Sequence, residues 1–215
     1  ASDVYKRQGI GNGITVAGGN GEGGKSNQLY YPHQIKIDAL NNIIITDGMN
    51  HRVQKWEPGA SSGTTVAGGN GIGFNNNQLS YPNGIEIDDN GNYYISDSYN
   101  YRIQKFAPNS SFGTTVAGGN AVGSAENQLG FPRRLALDIA GNLYVTDETN
   151  HRVQKFPPNS TNLTNGITVA GGNGAGPEAN QLSYPSGIII DDSGYIFVAE
   201  RANHRVQKFP PSSTS

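Results

Sequence analysis

The most informative feature of this 215-residue chain is a unit of about 50 residues that occurs four times. Each copy contains Val-Ala-Gly-Gly-Asn, then Asn-Gln-Leu, an aromatic-Pro pair, an apolar run and a stretch ending in Gln-Lys-aromatic. A fixed period of this length is typical of propellers and solenoids. We expect residues shared by all copies to build the repeat, and residues that differ to be available for a particular function. The copies of the first motif begin at Val16, Val66, Val116 and Val169.

Each copy carries four strand signals and no helix signal. In the second copy these are predicted at 84–88, 93–95 and 101–106, followed by the short Thr-Val-Ala stretch around Val116. An Asn-Gly pair between the first two strands indicates a hairpin turn. The second strand is a short unbroken apolar run, which is typical of a strand buried on both faces. The pattern predicts an all-β fold, a β-propeller of four-stranded antiparallel blades.

Composition agrees with many short strands and long loops. Only 34% of the residues are hydrophobic, and there are 30 glycines. The net charge of -2 gives no general attraction to nucleic acid or to an anionic membrane. The chain as given shows no secretory signal and no transmembrane segment, and its localisation stays unknown. The absence of cysteine excludes disulfides, thiol catalysis and Cys-ligated zinc.

The two ends differ from the repeats. Residues 1–8 match nothing in them and are interpreted as an artefactual tail, so we predict a propeller over residues 9–215, with repeats starting near 14, 64, 114 and 167. Four blades form either a closed small ring or an arc of a larger propeller. Residues 14–17 resemble a fourth strand and 204–209 a third strand. Because pairing them would complete the last blade and remove its open edge, we predict that they pair.

The repeat resembles a known family. Its second copy reads Tyr-Pro-Asn-Gly-Ile-Glu-Ile-Asp, Gly-Asn-Tyr-Tyr-Ile-Ser-Asp and Asn-Tyr-Arg-Ile-Gln-Lys-Phe, which is similar to the NHL repeat, named for an Asn-His-Leu triplet. In this chain Arg replaces Leu in every copy, and Tyr101 replaces one His. The resemblance covers residues 9–215. It implies a β-propeller, most often of six blades; some relatives are lyases or hydrolases, and others bind RNA.

The repeated histidines do not predict a metal site. His51, His151 and His204 occupy the same position in different blades, so their rings should lie roughly 15 Å or more apart. A shared zinc would require each nitrogen at about 2 Å, so we expect these residues to form hydrogen bonds at the blade edges instead. The chain also carries no cofactor motif, because Gly24-Lys25-Ser26 precedes no helix that could complete a phosphate site.

An acidic residue ends the second strand of each copy, three residues before the triplet Asn. We interpret it as a cap of the following turn. The alternative is a ring of carboxylates that binds a cation near one mouth of the channel. The residues are Asp47, Asp97, Asp147 and Glu200.

The candidate site is a surface. The loops that join strand four to strand one and strand two to strand three share one face of a propeller, and the copies differ there. Tyr99 and Tyr101 offer an aromatic pair, and Arg133-Arg134 is the charge that departs most from the repeat. Unconstrained drift of the loops is the alternative. The predicted ligand-binding residues are His33, Tyr99, Tyr101, Arg133, Arg134, Glu148 and Arg201.

We therefore predict a non-enzymatic module or scaffold that binds a protein or a glycan, with no cofactor and no metal. The alternative is an enzyme with its site at the channel mouth, like the lyase and hydrolase relatives. For such a site the sequence offers only His33, Arg133 and Arg134. Nucleic acid is a disfavoured partner, because Lys and Arg are distributed evenly among the copies, and no membrane partner is expected.

Overall fold

The computed structural model describes residues 13–211, in which fifteen strands form four antiparallel sheets. The first sheet contains β1 (Pro32–Ile37), β2 (Ile43–Asp47), β3 (Arg52–Trp56) and β4 (Thr64–Gly68). The second contains β5 (Pro82–Ile87), β6 (Tyr93–Asp97), β7 (Arg102–Phe106) and β8 (Gly113–Gly118). The third contains β9 (Pro132–Leu137), β10 (Leu143–Asp147), β11 (Arg152–Phe156) and β12 (Ile167–Gly171). The fourth contains β13 (Pro185–Ile190), β14 (Ile196–Glu200) and β15 (Arg205–Phe209).

The sheets are the blades of a β-propeller. Within each sheet the strands are hydrogen-bonded in chain order, so each blade is an antiparallel meander. The first strands of consecutive blades, β1, β5, β9 and β13, contact one another in that sequence and therefore lie nearest the common axis. This architecture confirms the predicted all-β class and the assignment of one blade to each repeat.

Three apolar cores lie between consecutive blades rather than within them. The core between the first and second blades contains Val53 on β3 and Ile85 on β5, both fully buried. The corresponding cores continue between the second and third blades and between the third and fourth. A hydroxyl strengthens the first of these interfaces, because Thr46 Oγ1 donates to the carbonyl of Asn83 at 3.0 Å. Each blade therefore depends on its neighbours for burial.

The turn from the second to the third strand is a short 3-10 helix in the first three blades. It ends at a residue with left-handed φ, which is 52° at His51. For this reason the third strand begins at Arg52, one residue later than predicted from the sequence. None of the helical turns of residues 13–211 has the length or the apolar character needed to cross a bilayer. The three turns are Gly48–Asn50, Ser98–Asn100 and Glu148–Asn150.

The predicted pairing of residues 14–17 with 204–209 is wrong. Residues 14–17 are not in a strand, and β15 pairs only with β14 among the described residues. The reason is the position of the blades: extensive contacts join consecutive blades, and no comparable contact joins β1 to β13 in the described part of the chain. Ile35 is accordingly 61% exposed on the first blade and Val206 67% exposed on the last. The predicted tail, residues 1–8, lies outside the described residues.

Candidate binding face

A buried carboxylate organises each strand-two-to-three turn. In the second blade Asp97 Oδ1 accepts from the Ser80 backbone N–H at 2.5 Å, and Oδ2 accepts from Asn100 Nδ2 and Arg102 Nε at 2.8 and 2.7 Å. Both Asp97 and Arg102 are buried. Each of the four equivalent carboxylates accepts hydrogen bonds in this way from groups of its own blade. This supports the interpretation as turn caps and not the alternative of a cation-binding ring. The equivalent ion pairs are Asp47–Arg52, Asp147–Arg152 and Glu200–Arg205.

The same arginine holds the long loop that enters the blade. Arg102 donates to the backbone carbonyls of Phe74 at 2.8 Å and Gln78 at 3.1 Å. The neighbouring Asn100 donates to the carbonyl of Gly73 at 2.7 Å. These contacts place the long loop beside the strand-two-to-three turn. The two kinds of loop therefore share one face of the propeller, as the repeat pattern predicts.

Two of the repeated histidines connect consecutive blades. His51 Nδ1 accepts from the backbone N–H of Tyr81 at 3.1 Å, and His151 Nδ1 accepts from that of Tyr184 at 3.2 Å. The predicted structural role is therefore confirmed for these two residues. Tyr101 occupies the same position in the second blade and lacks such an acceptor. Residues 13–211 contain no group of three His, Cys, Asp or Glu side chains arranged to hold a metal ion.

A row of rings crosses the face from the first blade to the third. His33 meets Tyr81 edge-on with centroids 4.8 Å apart. Tyr81 is stacked on Tyr99 at 4.8 Å, and Tyr99 meets Phe131 at 5.8 Å. Tyr99 is 53% exposed and forms the accessible centre of the row. Tyr101 does not take part in these ring contacts, so the expected Tyr99–Tyr101 pair is replaced by Tyr99 with Tyr81.

An ion cluster continues the row toward the fourth blade. Arg133 Nη1 donates to both carboxylate oxygens of Glu148 at 2.9 Å. Arg201, which is largely exposed, reaches the same carboxylate at 2.8 Å and lies over the ring of Tyr184 at 5.5 Å. Glu148 is buried. One acid is thus shared by two arginines, and the cluster keeps a net positive charge.

Arg134 spans the axis of the propeller. Its guanidinium donates to the side chain and carbonyl of Asn83 in the second blade and to the carbonyl of His33 in the first, the last at 3.3 Å. Burial and the charge of Arg133 lower the pKa of the Arg134 guanidinium. Burial, Arg134 and Arg133 together lower the pKa of His33 below 6.5. A neutral imidazole therefore lies close to two cations at the channel mouth.

Local sequence differences explain why each blade presents a different group. A Cβ at Gly48 would lie 2.6 Å from His33 Cδ2, so glycine at this position makes room for the imidazole. The equivalent residue of the third blade is Glu148, the partner of Arg133. In the second blade it is Ser98, whose hydroxyl donates to the Pro132 carbonyl at 2.7 Å.

We define the aromatic–arginine face by the residues of the row and the cluster. Six of the seven predicted site residues lie on it or, like Arg134, directly beneath it; Tyr101 instead lies at the blade interface position of His51. Sequence reasoning missed the aromatic residues that precede proline, because they occur in every copy and were attributed to the framework. The face consists of His33, Tyr81, Tyr99, Phe131, Arg133, Glu148, Tyr184 and Arg201.

Two cavities lie on the opposite face, between the strand-one-to-two turns. One of about 970 Å³ is lined by residues including Leu40, Asp88 and Asn109. A second of about 580 Å³ is lined by residues including Ile139, Asp191 and Asp192. The carboxylates of Asp88 and its equivalents are engaged in their own hairpins; Asp88 Oδ1, for example, accepts from the Asn90 and Asn92 backbone N–H groups.

Comparison with known proteins gives one family and a common fold. The NHL repeat model matches residues 29–56, 79–106, 129–156 and 182–209. An auxiliary nutrient binding protein from Bacteroides thetaiotaomicron has a TM-score of 0.63 and 16% identity, over 80% of this chain and 46% of that chain. One from Bacteroides ovatus has a TM-score of 0.65 and 16% identity, over 85% of this chain and 49% of that chain. A streptogramin B lyase has a TM-score of only 0.49, which supports no argument. This chain thus spans about half the length of the two nutrient binding proteins.

Proposed function

This chain belongs to the NHL repeat family, and on that premise we propose that its propeller is a non-enzymatic binding module for a protein or a glycan. The observation that carries the proposal is the aromatic–arginine face. It presents a continuous row of rings that ends in a cluster of charged groups. Residues from all four blades contribute, so the complete face exists only in the folded propeller.

The residue types of the face are those that anchor binding partners. Tyr and Arg are enriched among residues that dominate binding energy, because they offer large contact area together with directional hydrogen bonds. Tyr99 is 53% exposed, and Tyr184 is 39% exposed. Two enclosed polar atoms, His33 Nε2 and Arg133 Nε, have no hydrogen-bonding partner among the described residues. Both atoms are shielded from solvent, so a ligand would reach them only if neighbouring side chains moved.

The shape of the face favours a protein over a small ligand. Small-molecule sites are concave and enclose most of the ligand. The two cavities described above lie on the opposite face, whereas the row of rings follows the starts of the innermost strands and the turn at Tyr99. At the arginine end of the face, Glu148 is only 5% exposed and forms ion pairs with Arg133 and Arg201. These ion pairs hold the two guanidinium groups in place and give a partner a fixed pattern of charge. A glycan remains the second class of ligand, because the exposed Tyr99 ring also suits stacking on a sugar.

The solved structures add support of a general kind. Two proteins of the same fold are described as auxiliary nutrient binding proteins. Their 16% identity shows the fold alone, so the ligand of this chain is argued from its own residues. The net charge of -2 and the pairing of Arg52, Arg102 and Arg152 with buried acids do not favour an extended nucleic-acid surface.

The proposal is tested by comparing matched variants in two assays, retention of proteins from a lysate and binding to a glycan array. Tyr99→Ala should lose the specific ligand, and Phe112→Ala should keep it. Phe112 is also an exposed aromatic residue, at 65%, but it lies in a strand-three-to-four loop on the opposite side. A ligand that binds both variants as well as the unaltered protein would overturn the assignment of this face.

The alternative function is an enzyme at the channel mouth, and it would depend on His33. Its lowered pKa keeps the imidazole neutral near pH 7, as a general base requires. The described groups beside it are Arg133, Arg134 and Tyr81, and burial raises the pKa of the Tyr81 phenol. Turnover of a compound by the protein that is abolished in His33→Asn would favour the enzyme over the binding module.

A further inference from the structure

The last blade and the first described residues have complementary defects. The last blade has three strands, and the outer edge of β15 has no strand partner within residues 13–211. Residues 14–18, Ile-Thr-Val-Ala-Gly, have the sequence of a fourth strand but form none. Ile14 is 83% exposed and Val16 55% exposed, whereas the equivalent Val116 and Val169 are buried. An exposed strand edge is a template for pairing with another chain.

The complete blades show how the missing pair would form. In the first blade Arg52 pairs with Gly68, Val53 with Ala67 and Gln54 with Thr65, with a bulge at the intervening residue. The third blade repeats this register, from Arg152 with Gly171 to Lys155 with Ile167. Transferred to β15, the register pairs Arg205 with Gly18, Val206 with Ala17, Gln207 with Thr15 and Lys208 with Ile14.

The backbone of the unpaired segment already has the required conformation at its end. The φ of Gly18 is 72°, close to the 69° of Gly68 and the 68° of Gly171. The following loop contains the same isolated bridge as its counterparts, Glu22 with Leu29, equivalent to Ile72 with Leu79. Residues from Gly18 onward are therefore arranged as they are in the junctions between complete blades. Residues 14–17 differ from their counterparts in having no neighbouring strand to pair with among the described residues.

The apolar faces at the two ends are also complementary. Val206 is 67% exposed, whereas the equivalent Val53, Ile103 and Val153 are fully buried against the next blade. Ile35 is 61% exposed, whereas the equivalent Ile85 is fully buried against the preceding blade. Within the chain these two kinds of face pack on each other at every blade junction. The last blade therefore presents one half of a junction, and the first blade presents the other.

A hydrogen bond is divided between the ends in the same manner. His51 and His151 each accept the backbone N–H of the tyrosine that opens the next blade, Tyr81 or Tyr184. His204 is the equivalent acceptor of the last blade, and Tyr31 is the equivalent tyrosine of the first. Tyr31 has the same left-handed φ, 54°, as Tyr81 with 57°.

We propose that a second copy of this chain docks head-to-tail, its residues 14–18 adding a fourth strand to β15 and its first blade covering the Val206 face of the last blade. The contact reproduces an internal blade junction between two molecules. It joins unlike surfaces, so its repetition gives a closed ring if the rotation closes and a filament if it does not. Addition of an extended segment to a sheet edge is an established mode of recognition.

One residue makes this junction weaker than the first two internal junctions. Thr46 and Ser96 donate hydroxyl hydrogen bonds to backbone carbonyls of the next blade at 3.0 and 3.1 Å. The last blade has Ala199 at this position and offers no hydroxyl. We therefore expect the chains to associate in a concentration-dependent way. Ala199→Thr, which restores the hydroxyl, should raise the association constant by about 2- to 10-fold.

The test is sedimentation of the full chain over a concentration series. Val206→Lys blocks the tail surface, and Val16→Asp with Ile35→Lys blocks the head surface. All three residues are exposed in the single chain, so the blades themselves should fold, which circular dichroism checks. Each blocked protein should be a monomer, and an equimolar mixture should form a dimer of one molecule of each, because one head and one tail remain intact. Ile139→Lys, at a 95% exposed isoleucine outside both surfaces, should associate like the unaltered chain.

The outcomes separate the possible partners of each end. A monomer at every concentration, as expected if residues 14–17 pair within their own chain, overturns the proposal. Association that persists in either blocked protein alone also overturns it, because it indicates a contact between other surfaces. The result does not depend on the proposed binding function, since none of the altered residues belongs to the aromatic–arginine face.

Discussion

The ring of Tyr99 lies nearly parallel to the ring of Tyr81, with centroids 4.8 Å apart and an angle of 12° between the planes. Tyr81 is itself fixed, because its backbone N–H is bound by His51 of the preceding blade. The backbone N–H of Tyr99 donates to the Ser80 carbonyl at 3.1 Å. An exposed ring held in this way loses little conformational freedom when a partner binds, which lowers the entropic cost of association.

We expect Tyr99→Ala to weaken binding of the ligand by about 1–3 kcal/mol, the cost of removing a Tyr anchor. Stability should fall by about 0.5–1.5 kcal/mol, because the half-exposed ring also loses its stack on Tyr81. Titration calorimetry with the ligand identified in the binding screen measures the first quantity, and urea unfolding the second. Phe112→Ala is the control, and equal affinity of the two variants would contradict the prediction.

The double substitution Arg133→Asn with Arg134→Gly introduces the residues that the second blade has at these positions, Asn83 and Gly84. The backbone already accepts them there, and Glu148 keeps Arg201 as its partner at 2.8 Å. We expect the protein to remain folded and to bind its ligand at least about tenfold more weakly, a loss of about 1.4 kcal/mol. Unchanged affinity would indicate that the differences among the copies at this position are drift.

Breaking a buried ion pair should instead lower the stability of the fold, whereas the substitutions on the face lower the affinity for the ligand. Asp97→Asn removes the charge that faces the fully buried Arg102, and we expect a loss of about 3–5 kcal/mol in the free energy of unfolding. The control is Glu57→Gln, which removes a partner from the exposed pair with Lys55 and should cost about 0–1 kcal/mol. Chemical denaturation of both variants at pH 7 measures the difference. Similar losses in the two would show that burial does not govern these pairs.

Stability should depend on pH through His33. Because its pKa in the folded protein is lowered below 6.5, the unfolded chain binds more protons than the folded one in mildly acidic solution. The contribution of the neutral imidazole is complete above pH 6.5 and is lost as the pH falls through the folded-state pKa. His33→Asn, with the residue found at position 83, should therefore show a smaller loss of stability between pH 7.5 and pH 5. His51, whose pKa is also lowered by burial, should retain part of the slope in the variant.

The sequence predicts the blades well because each copy brings its own strands, turn and buried ion pair. Asp97 and Arg102, for example, are five residues apart, and the turn between them brings them together. Neighbouring copies supply the remaining contacts, so the interface around Val53 and Ile85 follows from the order of the repeats. Local spacing is sufficient for these features.

Other features depend on how separate blades are placed relative to one another, which the local sequence pattern does not predict. Residues 14–17 have the composition of a strand, but the edge that they could join is set by the angle between consecutive blades. Tyr81 and Phe131 were missed because they are shared by the copies and were assigned to the framework, whereas their position beside Tyr99 makes them part of the face. A residue that recurs in every blade can thus acquire a particular role from one variable neighbour.

The arginine contacts of the long loops have a consequence for how this surface changes. Arg102 binds the carbonyl oxygens of Phe74, Asn75 and Gln78, and these atoms are present whatever side chain follows them. Arg152 does the same at Ser124, Ala125 and Gln128, where two of the three residues differ but the path of the loop is retained. Substitutions at these loop tips therefore alter the chemistry that is displayed without altering where it is displayed. Each blade can therefore vary the side chains at its long-loop tip independently of the other blades.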